Sequence, residues 1–315
     1  MNPDRRAVLA AGAAMAGAAM AAAAMTGAAV PHARAAEADG PLRMRPIPSS
    51  GETIPVVGIG TSRRYDTDPA GPGVEPLRET VARFVALGGR VVDTAPDYGR
   101  AEEVLGAVFA GSDLRGKVFL CGKVAAQGRE AGQAQIERSF RRMGTDRIDL
   151  IAVHNLIDPD AQLPLLREMK AAGRIRYLGA TTWAERQYAD LEALMRREAL
   201  DVIQVNYAVD ARAAAERILP LARDRGVAVM VNVPFGRERL FNLVKGRELP
   251  PWAAEFDCAT WPQFFLKYVL GNEAVTCPVP GTARVAYAED NLGAARGRLP
   301  DEAARRRMEA YIDGL

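Results

Sequence analysis

The feature that most constrains the fold is an alternation of eight short apolar runs with longer helical patterns along a chain of 315 residues. The runs are rich in β-branched residues and nearly continuously apolar, as expected for parallel strands covered on both faces. We predict strands at residues 56–60, 90–94, 118–124, 148–155, 176–181, 202–207, 227–234 and 275–280. The repeated strand–helix order predicts an α/β fold with a parallel sheet.

Helical spacing fills the segments between these runs. Residues 75–87 place Leu77, Val81 and Phe84 on one face, and the pair Gly88-Gly89 ends the pattern. Further helices are predicted at residues 130–143, 161–172, 184–197 and 211–225, with a last one at 300–315. Eight such units predict a single (β/α)₈ TIM barrel with a C-terminal helix. The alternative is a doubly wound sheet, which the lack of a Gly-x-Gly-x-x-Gly turn after any early strand disfavours.

Two other segments stand outside this repeat. Residues 44–54, with Ser49-Ser50-Gly51 in the middle, predict an N-terminal β-hairpin before the first barrel strand. Residues 234–263 are predicted to form a large loop after the seventh strand.

The first 35 residues have the layout of an export signal. Arg5-Arg6 precedes an uncharged stretch of Ala, Gly and Met from Ala7 to Val30, and Ala33-Arg34-Ala35 provides an Ala-x-Ala cleavage site. The arginine pair favours a twin-arginine signal that is cleaved, with transient contact to that export machinery. We therefore expect residues 1–35 to be a signal peptide, residues 36–315 to be the barrel, and the protein to be periplasmic or otherwise exported. The alternative is a retained membrane anchor, since the uncharged stretch is long enough to span a bilayer.

Composition limits the classes of partner. Lys and Arg number 41 against 39 Asp and Glu, so the net charge of +2 gives no general reason to bind nucleic acid. The hydrophobic share of 49% argues against a disordered chain or a polytopic membrane protein. The three cysteines have no zinc-type spacing. Cys121, within an apolar run, is predicted to be a buried thiol, whereas a bond between Cys258 and Cys277 is left open.

Polar side chains follow the predicted strands, where sites form in a barrel of this type. They are Asp93, Lys123, His154, Thr181, Thr182, Gln204 and Asn206. Each has a structural alternative, such as a helix cap or a solvated charge. The chain has two histidines, and the other, His32, lies in the predicted signal.

Four motifs in order resemble the aldo-keto reductase family, from about residue 44 to residue 291. Asp93-Thr94-Ala95-Pro96-Asp97-Tyr98-Gly99 is similar to the family's Asp-Thr-Ala-x-x-Tyr-Gly segment, and Glu102 follows it. Lys123 in Cys-Gly-Lys-Val and His154 in the run ending Val-His-Asn match two further catalytic positions. Residues 58–61 resemble the first strand turn, and residues 173–179 resemble the segment leading into the fifth strand.

The resemblance implies reduction of an aldehyde or ketone to an alcohol, or the reverse oxidation. It implies that Tyr98 is the general acid, that Lys123 and Asp93 tune its proton affinity, and that His154 orients the carbonyl. A cation beside Tyr98 suits this role, because a phenol with a pKa near 10 gives up its proton reluctantly at neutral pH. The chemistry requires no metal, and the sequence offers no metal-ligand cluster.

The resemblance also implies a nicotinamide cofactor, with NADP expected and NAD as the alternative. The implied cofactor-binding residues are Gly60, Thr61, Asp93, Thr181, Thr182, Gln204, Asn232, Phe235, Gly281, Thr282, Arg284 and Asn291. Among them, Thr181-Thr182 replaces the family's Ser-Asn, and Asn232 replaces the aromatic residue that stacks on the nicotinamide.

The segment from Pro280 to Asn291 departs furthest from the family pattern. Gly281 replaces a lysine and Tyr287 replaces an arginine, and those two cations normally hold the 2′-phosphate of NADP. Arg284, Arg237 or Arg239 are candidates to replace their charge. A non-catalytic exported binding protein, with the barrel kept but cofactor affinity weakened, is therefore the alternative to an enzyme acting on a small carbonyl or alcohol.

Overall fold

A computed structural model describes residues 40–315, so the predicted signal peptide lies outside the described residues. The described chain begins with a hairpin whose strands β1 (Met44–Pro46) and β2 (Thr53–Pro55) pair antiparallel, as predicted. Eight parallel strands follow: β3 (Ile59–Gly60), β4 (Val91–Asp93), β5 (Phe119–Val124), β6 (Ile148–Val153), β7 (Ile175–Thr181), β8 (Val202–Asn206), β9 (Ala228–Asn232) and β10 (Cys277–Pro278).

The eight strands form a closed barrel. Each pairs in parallel with the next along the chain, from β3 to β10. The ring closes where Gly60 and Gly281 form a parallel bridge, with Gly60 N donating to Pro280 O at 2.9 Å and Thr282 N donating to Gly60 O at 3.2 Å. A β-carbon on Gly60 would lie 2.6 Å from Val279 O, so this closure needs glycine there. The predicted (β/α)₈ barrel is confirmed, and the doubly wound alternative is wrong.

Eleven α-helices occur within residues 40–315. They are α1 (Val74–Ala86), α2 (Ala101–Phe109), α3 (Leu114–Lys117), α4 (Arg129–Met143), α5 (Pro159–Ala171), α6 (Tyr188–Arg197), α7 (Ala214–Asp224), α8 (Arg239–Leu243), α9 (Trp261–Leu270), α10 (Val285–Gly293) and α11 (Glu302–Asp313). The six predicted helices correspond to α1, α4, α5, α6, α7 and α11. None of the helices in the described part is both long enough and apolar enough to cross a membrane.

The predicted loop after the seventh barrel strand is more structured than its sequence indicated. It contains α8 and two 3₁₀ segments, Gly236–Glu238 and Pro251–Phe256, and α9 begins at Trp261, inside the predicted range. Helix α9 is tied to its surroundings by Lys267, which is fully buried and donates to the carbonyl oxygens of Phe256, Arg296 and Arg298 at 2.7, 2.8 and 3.1 Å.

A small apolar core fills the barrel interior. Its members from the barrel strands are Val91, Phe119, Cys121, Leu150, Tyr177, Val202, Ala228, Met230 and Cys277, and Val279 directly after β10 joins them. Ile47 and Ile54 of the hairpin region belong to the same cluster, so the hairpin closes the amino end of the barrel. Cys121 is buried as predicted, and all three cysteines are free thiols, which answers the open question about Cys258 and Cys277.

Candidate active site

The strand faces that line the apolar interior of the barrel carry polar side chains at their carboxyl ends. Successive side chains of a strand point to opposite faces, so residues two apart share a face. On β5, Phe119 and Cys121 lie in the interior core, and Lys123 is next on the same face. The same spacing places a polar residue at the carboxyl end of six neighbouring strands: Asp93, Lys123, His154, Thr181, Gln204 with Asn206, and Asn232.

A buried ion pair lies at the centre of these residues. Lys123 Nζ is 2.8 Å from both carboxylate oxygens of Asp93, and the two side chains are 1% and 7% exposed. Lys123 Nζ also donates to Thr94 O at 2.9 Å. Burial alone would lower the pKa of the Lys123 ammonium, but the Asp93 carboxylate outweighs it and raises that pKa. The ammonium is therefore a fixed positive charge at neutral pH.

Tyr98 lies beside this pair on the loop that follows β4. Lys123 Nζ is 5.1 Å from the centre of the Tyr98 ring, and the His154 ring packs edge-on to it with a centroid distance of 5.7 Å. Burial raises the pKa of the Tyr98 phenol, and the charge of Lys123 offsets only part of this rise. Lys123 thus lowers the pKa of the Tyr98 phenol, as expected, but the effect of burial is larger and the pKa is raised overall.

The structure thus brings together all four residues that the sequence proposed as catalytic. They come from the ends of β4, β5 and β6 and from the loop after β4. His154 opens a short 3₁₀ turn after β6, and Asn155 within that turn has φ 51°. Residues other than Gly adopt a positive φ at an energetic cost, and residues with such a strained backbone tend to cluster at functional sites.

Among the predicted cofactor-binding residues, some side chains already make hydrogen bonds within the protein and others still have a polar group available to a ligand. The Thr182 hydroxyl is fully engaged, because it donates to Gln187 Oε1 at 2.7 Å and accepts from Ala184 N at 3.0 Å. The Thr181 hydroxyl oxygen accepts from Asn155 N at 3.1 Å, which leaves its own proton available. Thr61 Oγ1 donates to Asp93 O at 3.0 Å, so Thr61 supports the strand end that carries the ion pair.

A groove of about 430 Å³ opens beside these strand ends. Its lining includes Trp183, Arg186, Asn206, Val233 and Arg237. Arg237 stacks over the exposed ring of Trp183 with a separation of 4.2 Å. The groove combines cations with an aromatic face, which suits an anionic ligand that also carries a planar ring.

Two unpaired amide oxygens lie at the same end of the barrel. Asn206 and Asn232 are register partners on β8 and β9, and the side-chain oxygen of each is buried without a hydrogen-bond partner in the described part of the chain. Asn232 Nδ2 donates to Thr182 O at 3.2 Å, which orients its amide. Buried acceptors without partners are costly, so they indicate that a ligand with N–H or O–H groups belongs here.

The segment that closes the barrel holds the remaining predicted residues. Asn291 Nδ2 donates to Thr282 Oγ1 at 3.0 Å, and both side chains are buried. Arg284 lies over the half-exposed ring of Tyr287 at 5.5 Å from its centre.

Gly281 has a neighbour that the sequence did not reveal. A β-carbon on Gly281 would lie 3.3 Å from Cγ and 3.5 Å from Nε of Arg64. Arg64 is held there by Glu238, at 2.6 Å across the barrel mouth. A guanidinium from the loop after β3 thus lies beside the position where the family pattern has a lysine.

The aromatic residues of the long loop belong mainly to a packed cluster. Phe235 lies 4.9 Å from Phe241 between ring centres, and Trp261 stacks on Phe265 at 5.6 Å. Trp252 contacts the same cluster through Phe264 at 5.7 Å. Packing, rather than a pocket lining, therefore accounts for Trp252 and Trp261, and Phe235 lies at the edge of this cluster.

Two residues of the site were missed by sequence reasoning. Asp97 precedes Tyr98 directly, and its Oδ1 is 3.2 Å from Nδ1 of His154. A charged residue at a variable position of a catalytic motif was the available signal for Asp97. Arg64 had no such signal, because its proximity to Gly281 exists only once the barrel closes.

Comparison with known proteins agrees with this geometry. The model of the Aldo/keto reductase family matches residues 57–312. Aldo-keto reductase str7 of Strobilurus tenacellus is 26% identical over 270 residues, which cover 73% of this chain and 80% of that protein. The NADH-specific methylglyoxal reductase of Escherichia coli is 24% identical over 276 residues, covering 71% of this chain and 83% of the relative.

The fold agrees as well. An aldo/keto reductase from Klebsiella pneumoniae, solved in complex with NADP and acetate, superposes with a TM-score of 0.71 at 21% identity, over 86% of this chain and 96% of its own. At that identity the likeness concerns the fold alone. The family match over nearly all of the described residues shows that the chain belongs to the aldo/keto reductase family.

Proposed function

We propose that this protein reduces an aldehyde or ketone to the alcohol with a nicotinamide dinucleotide, or catalyses the reverse oxidation. The single observation that carries this proposal is the buried Asp93–Lys123 pair with Tyr98 and His154 packed beside it. NADP is the proposed cofactor and NAD the alternative, since relatives of both kinds occur: the Klebsiella structure holds NADP, and the Escherichia coli relative is NADH-specific.

The residues of the mouth fit such a cofactor. Asn206 and Asn232 offer unpaired carbonyl oxygens to the N–H groups of a carboxamide, and the Thr181 hydroxyl has a proton to donate. Arg186 and Arg237 line the adjoining groove, where they would meet a pyrophosphate. When bound, the nicotinamide supplies the hydride for reduction or accepts it in oxidation.

The chain's own residues handle the proton. As hydride reaches the carbonyl carbon, negative charge develops on the oxygen, which requires a proton donor and electrostatic support. Tyr98 donates its phenolic proton to that oxygen, and the alcohol is released. Lys123 stabilises the phenolate left behind, and Asp93 holds the ammonium in place. His154 hydrogen-bonds the same oxygen and fixes its direction.

Cofactor specificity in this proposal depends on Arg64. Gly281 brings no cation to a 2′-phosphate, but the Arg64 guanidinium lies beside it and is anchored by Glu238. Arg64 therefore takes the place of the missing lysine, ahead of Arg284, Arg237 and Arg239. Because Glu238 already neutralises part of its charge, we expect weaker discrimination for NADP over NAD than a free lysine would give.

A second candidate is an exported protein that binds a ligand without catalysis. It is favoured by specific departures at the mouth: Asn232 has no ring to stack on nicotinamide, and the Thr182 hydroxyl is already bonded to Gln187. Both changes weaken a nicotinamide site, whereas the proton-transfer residues remain assembled.

A fluorescence titration of the purified protein with NADPH and with NADH separates the two candidates. The enzyme proposal predicts saturable binding of at least one of them, followed by loss of the reduced cofactor when an aldehyde panel is added. Binding without turnover on the panel would favour the second candidate. Failure of both cofactors to bind would contradict the enzyme proposal.

A further inference from the structure

The loop that follows β3 contacts both ends of the segment that carries Tyr98. At the first end, the backbone N and the Oγ1 of Thr61 both donate to Asp93 O at 3.0 Å. At the second end, Asp66 Oδ1 accepts a hydrogen bond from the backbone N of Arg100 at 3.0 Å. Because Asp93 precedes Tyr98 and Arg100 follows it within a few residues, the phenol is carried by a short segment that is held at both ends.

The main chain directly after Tyr98 fits closely against the Asp66 carboxylate. Gly99 has φ 60°, which is the left-handed conformation that glycine adopts without strain. A β-carbon on Gly99 would overlap the carboxyl group of Asp66, so the carboxylate can approach the main chain only because glycine is present. Asp66 therefore lies against the residue that follows Tyr98 and is hydrogen-bonded to the next one.

A second carboxylate of the same loop contacts Arg100 in a different way. Asp68 Oδ1 pairs with Nη2 of the Arg100 side chain at 2.8 Å, and both side chains are more than half exposed. An exposed ion pair between flexible side chains contributes little to stability and does not hold the main chain. Asp66 is therefore the carboxylate of this loop that can fix the backbone after Tyr98, and Asp68 provides a comparison.

We propose that Asp66 is a positioning residue that fixes the Tyr98 phenol beside Lys123. The inference rests on the proposed function for its effect on turnover, but not for its geometry. Lys123 Nζ lies 5.1 Å from the centre of the Tyr98 ring, and its charge stabilises the phenolate only while the ring stays close. Without the Asp66 acceptor, the main chain after Tyr98 is free to shift, and a misplacement of about 1 Å costs up to about 10²-fold in rate.

The groups around the phenol set the direction of the expected change in its pKa. The charged and titratable groups that pack around it are Asp93 from β4, Asp97 from its own loop, Lys123 from β5 and His154 after β6. Burial and the two carboxylates raise the pKa of Tyr98, whereas Lys123 lowers it. A phenol that moves away from Lys123 should therefore have a higher pKa. Removing the negative charge of Asp66 has the opposite sign, so an upward change indicates displacement.

Kinetics of Asp66→Ala test the role in turnover. The kcat for carbonyl reduction should fall about tenfold, and the rise of alcohol oxidation with pH should move to higher pH. Cofactor affinity should stay unchanged, because Arg64 is held by Glu238 and by its own backbone bond to Thr61 O. Asp66→Asn should restore both the rate and the pH profile, since its amide oxygen still accepts from the backbone N of Arg100. Asp68→Ala is the matched control and should behave as the wild type.

Carbon-13 NMR of tyrosine labelled at Cζ follows the placement of the phenol without any turnover. The chain contains eight tyrosines, and the spectrum of Tyr98→Phe assigns the Tyr98 signal by difference. That signal should move in Asp66→Ala, and it should keep its wild-type position in Asp66→Asn and in Asp68→Ala.

The outcomes that contradict the proposal differ from those that contradict the proposed function. An unmoved Tyr98 signal in Asp66→Ala, or wild-type kcat and pH profile in that variant, would overturn the positioning role. Equal losses in Asp66→Ala and Asp66→Asn would also overturn it, because the hydrogen bond would then not be what matters. If the signal moves as expected but the wild type turns over no carbonyl or alcohol, the proposed function fails while the placement of Tyr98 by Asp66 stands.

Discussion

At the scale of single residues, the proposed mechanism depends on one proton, that of the Tyr98 phenol. Asp93 and Lys123 form a buried pair that is neutral overall, and breaking such a pair by removing one partner is costly. Tyr98 is buried beside this pair, and its burial raises the pKa of the phenol. In the proposed mechanism, the raised pKa keeps the phenol protonated for reduction, and Lys123 stabilises the phenolate once it forms.

Tyr98→Phe and Lys123→Met test whether these two side chains act on the same proton transfer. Tyr98→Phe removes one hydroxyl and should slow turnover about 10²–10⁴-fold while the protein folds and binds cofactor as before. Lys123→Met should also slow turnover. The double variant should be little slower than the worse single variant, because both changes affect one step. Steady-state assays of the three variants measure this, and fully additive losses would show separate roles.

The pH dependence of alcohol oxidation should reveal the charge of Lys123. In the proposed mechanism, oxidation requires the Tyr98 phenolate. Burial and Asp93 raise the pKa of that phenol, and Lys123 lowers it. Lys123→Met should therefore raise the pKa further and shift the rise in oxidation rate to higher pH. The double change Asp93→Asn with Lys123→Met, which leaves no unpaired carboxylate, controls for folding and for the Asp93 charge. A pH profile that does not move in Lys123→Met would contradict this account.

At the scale of structural elements, the alternation of β-strands explains both what the sequence predicted and what it concealed. Lys123 could be assigned to the barrel mouth because it follows an apolar strand with known periodicity. Helix α9 escaped prediction because it is buried on nearly every side: residues Gln263–Leu270 are all buried, so the helix has no solvent-exposed polar face to reveal it. Arg64 and Glu238 meet only across the closed mouth, which local sequence cannot show.

The contact between Arg64 and Gly281 makes a specific prediction about cofactor choice. Arg64→Ala should weaken NADP binding about tenfold relative to NAD, the loss of one charge-assisted contact to the 2′-phosphate. Gly281→Lys in the wild type requires the Arg64 side chain to shift, since a β-carbon there would lie 3.3 Å from its Cγ.

Introduced into Arg64→Ala, the same Gly281→Lys change meets no such obstacle and should restore NADP preference. Calorimetric titration with both cofactors measures the ratio. Equal effects on NADP and NAD would show that neither residue faces the 2′-phosphate.

At the scale of the whole molecule, we propose that the barrel is exported with residues 1–35 as a cleaved twin-arginine signal. Export raises the question of cofactor supply, because free nicotinamide cofactor is expected to be scarce outside the cytoplasm. The twin-arginine route carries folded proteins, so the barrel can leave with its cofactor already bound. In this proposal, the function of the protein after export depends on how tightly the barrel retains the dinucleotide.

Replacing Arg5 and Arg6 by Lys tests the route. Lysines keep the charge but remove the arginine pair, so unprocessed precursor should accumulate inside the cell. Immunoblots of cell fractions measure this, and Arg34→Lys, which retains the Ala-x-Ala pattern, is the matched control. Normal processing of the double variant would exclude the twin-arginine route.

The central claim is hydride transfer to a carbonyl at the Tyr98–Lys123 site, and isotope transfer measures it most directly. The purified protein is incubated with NADPH, and separately NADH, deuterated at the transferable position, together with a panel of small aldehydes and ketones. Mass spectrometry then locates the label. The account predicts one deuterium on the carbinol carbon of at least one product, formed about 10²–10⁴-fold more slowly by Tyr98→Phe. Cofactor bound at saturation without label in any product, or label formed equally fast by Tyr98→Phe, would contradict it.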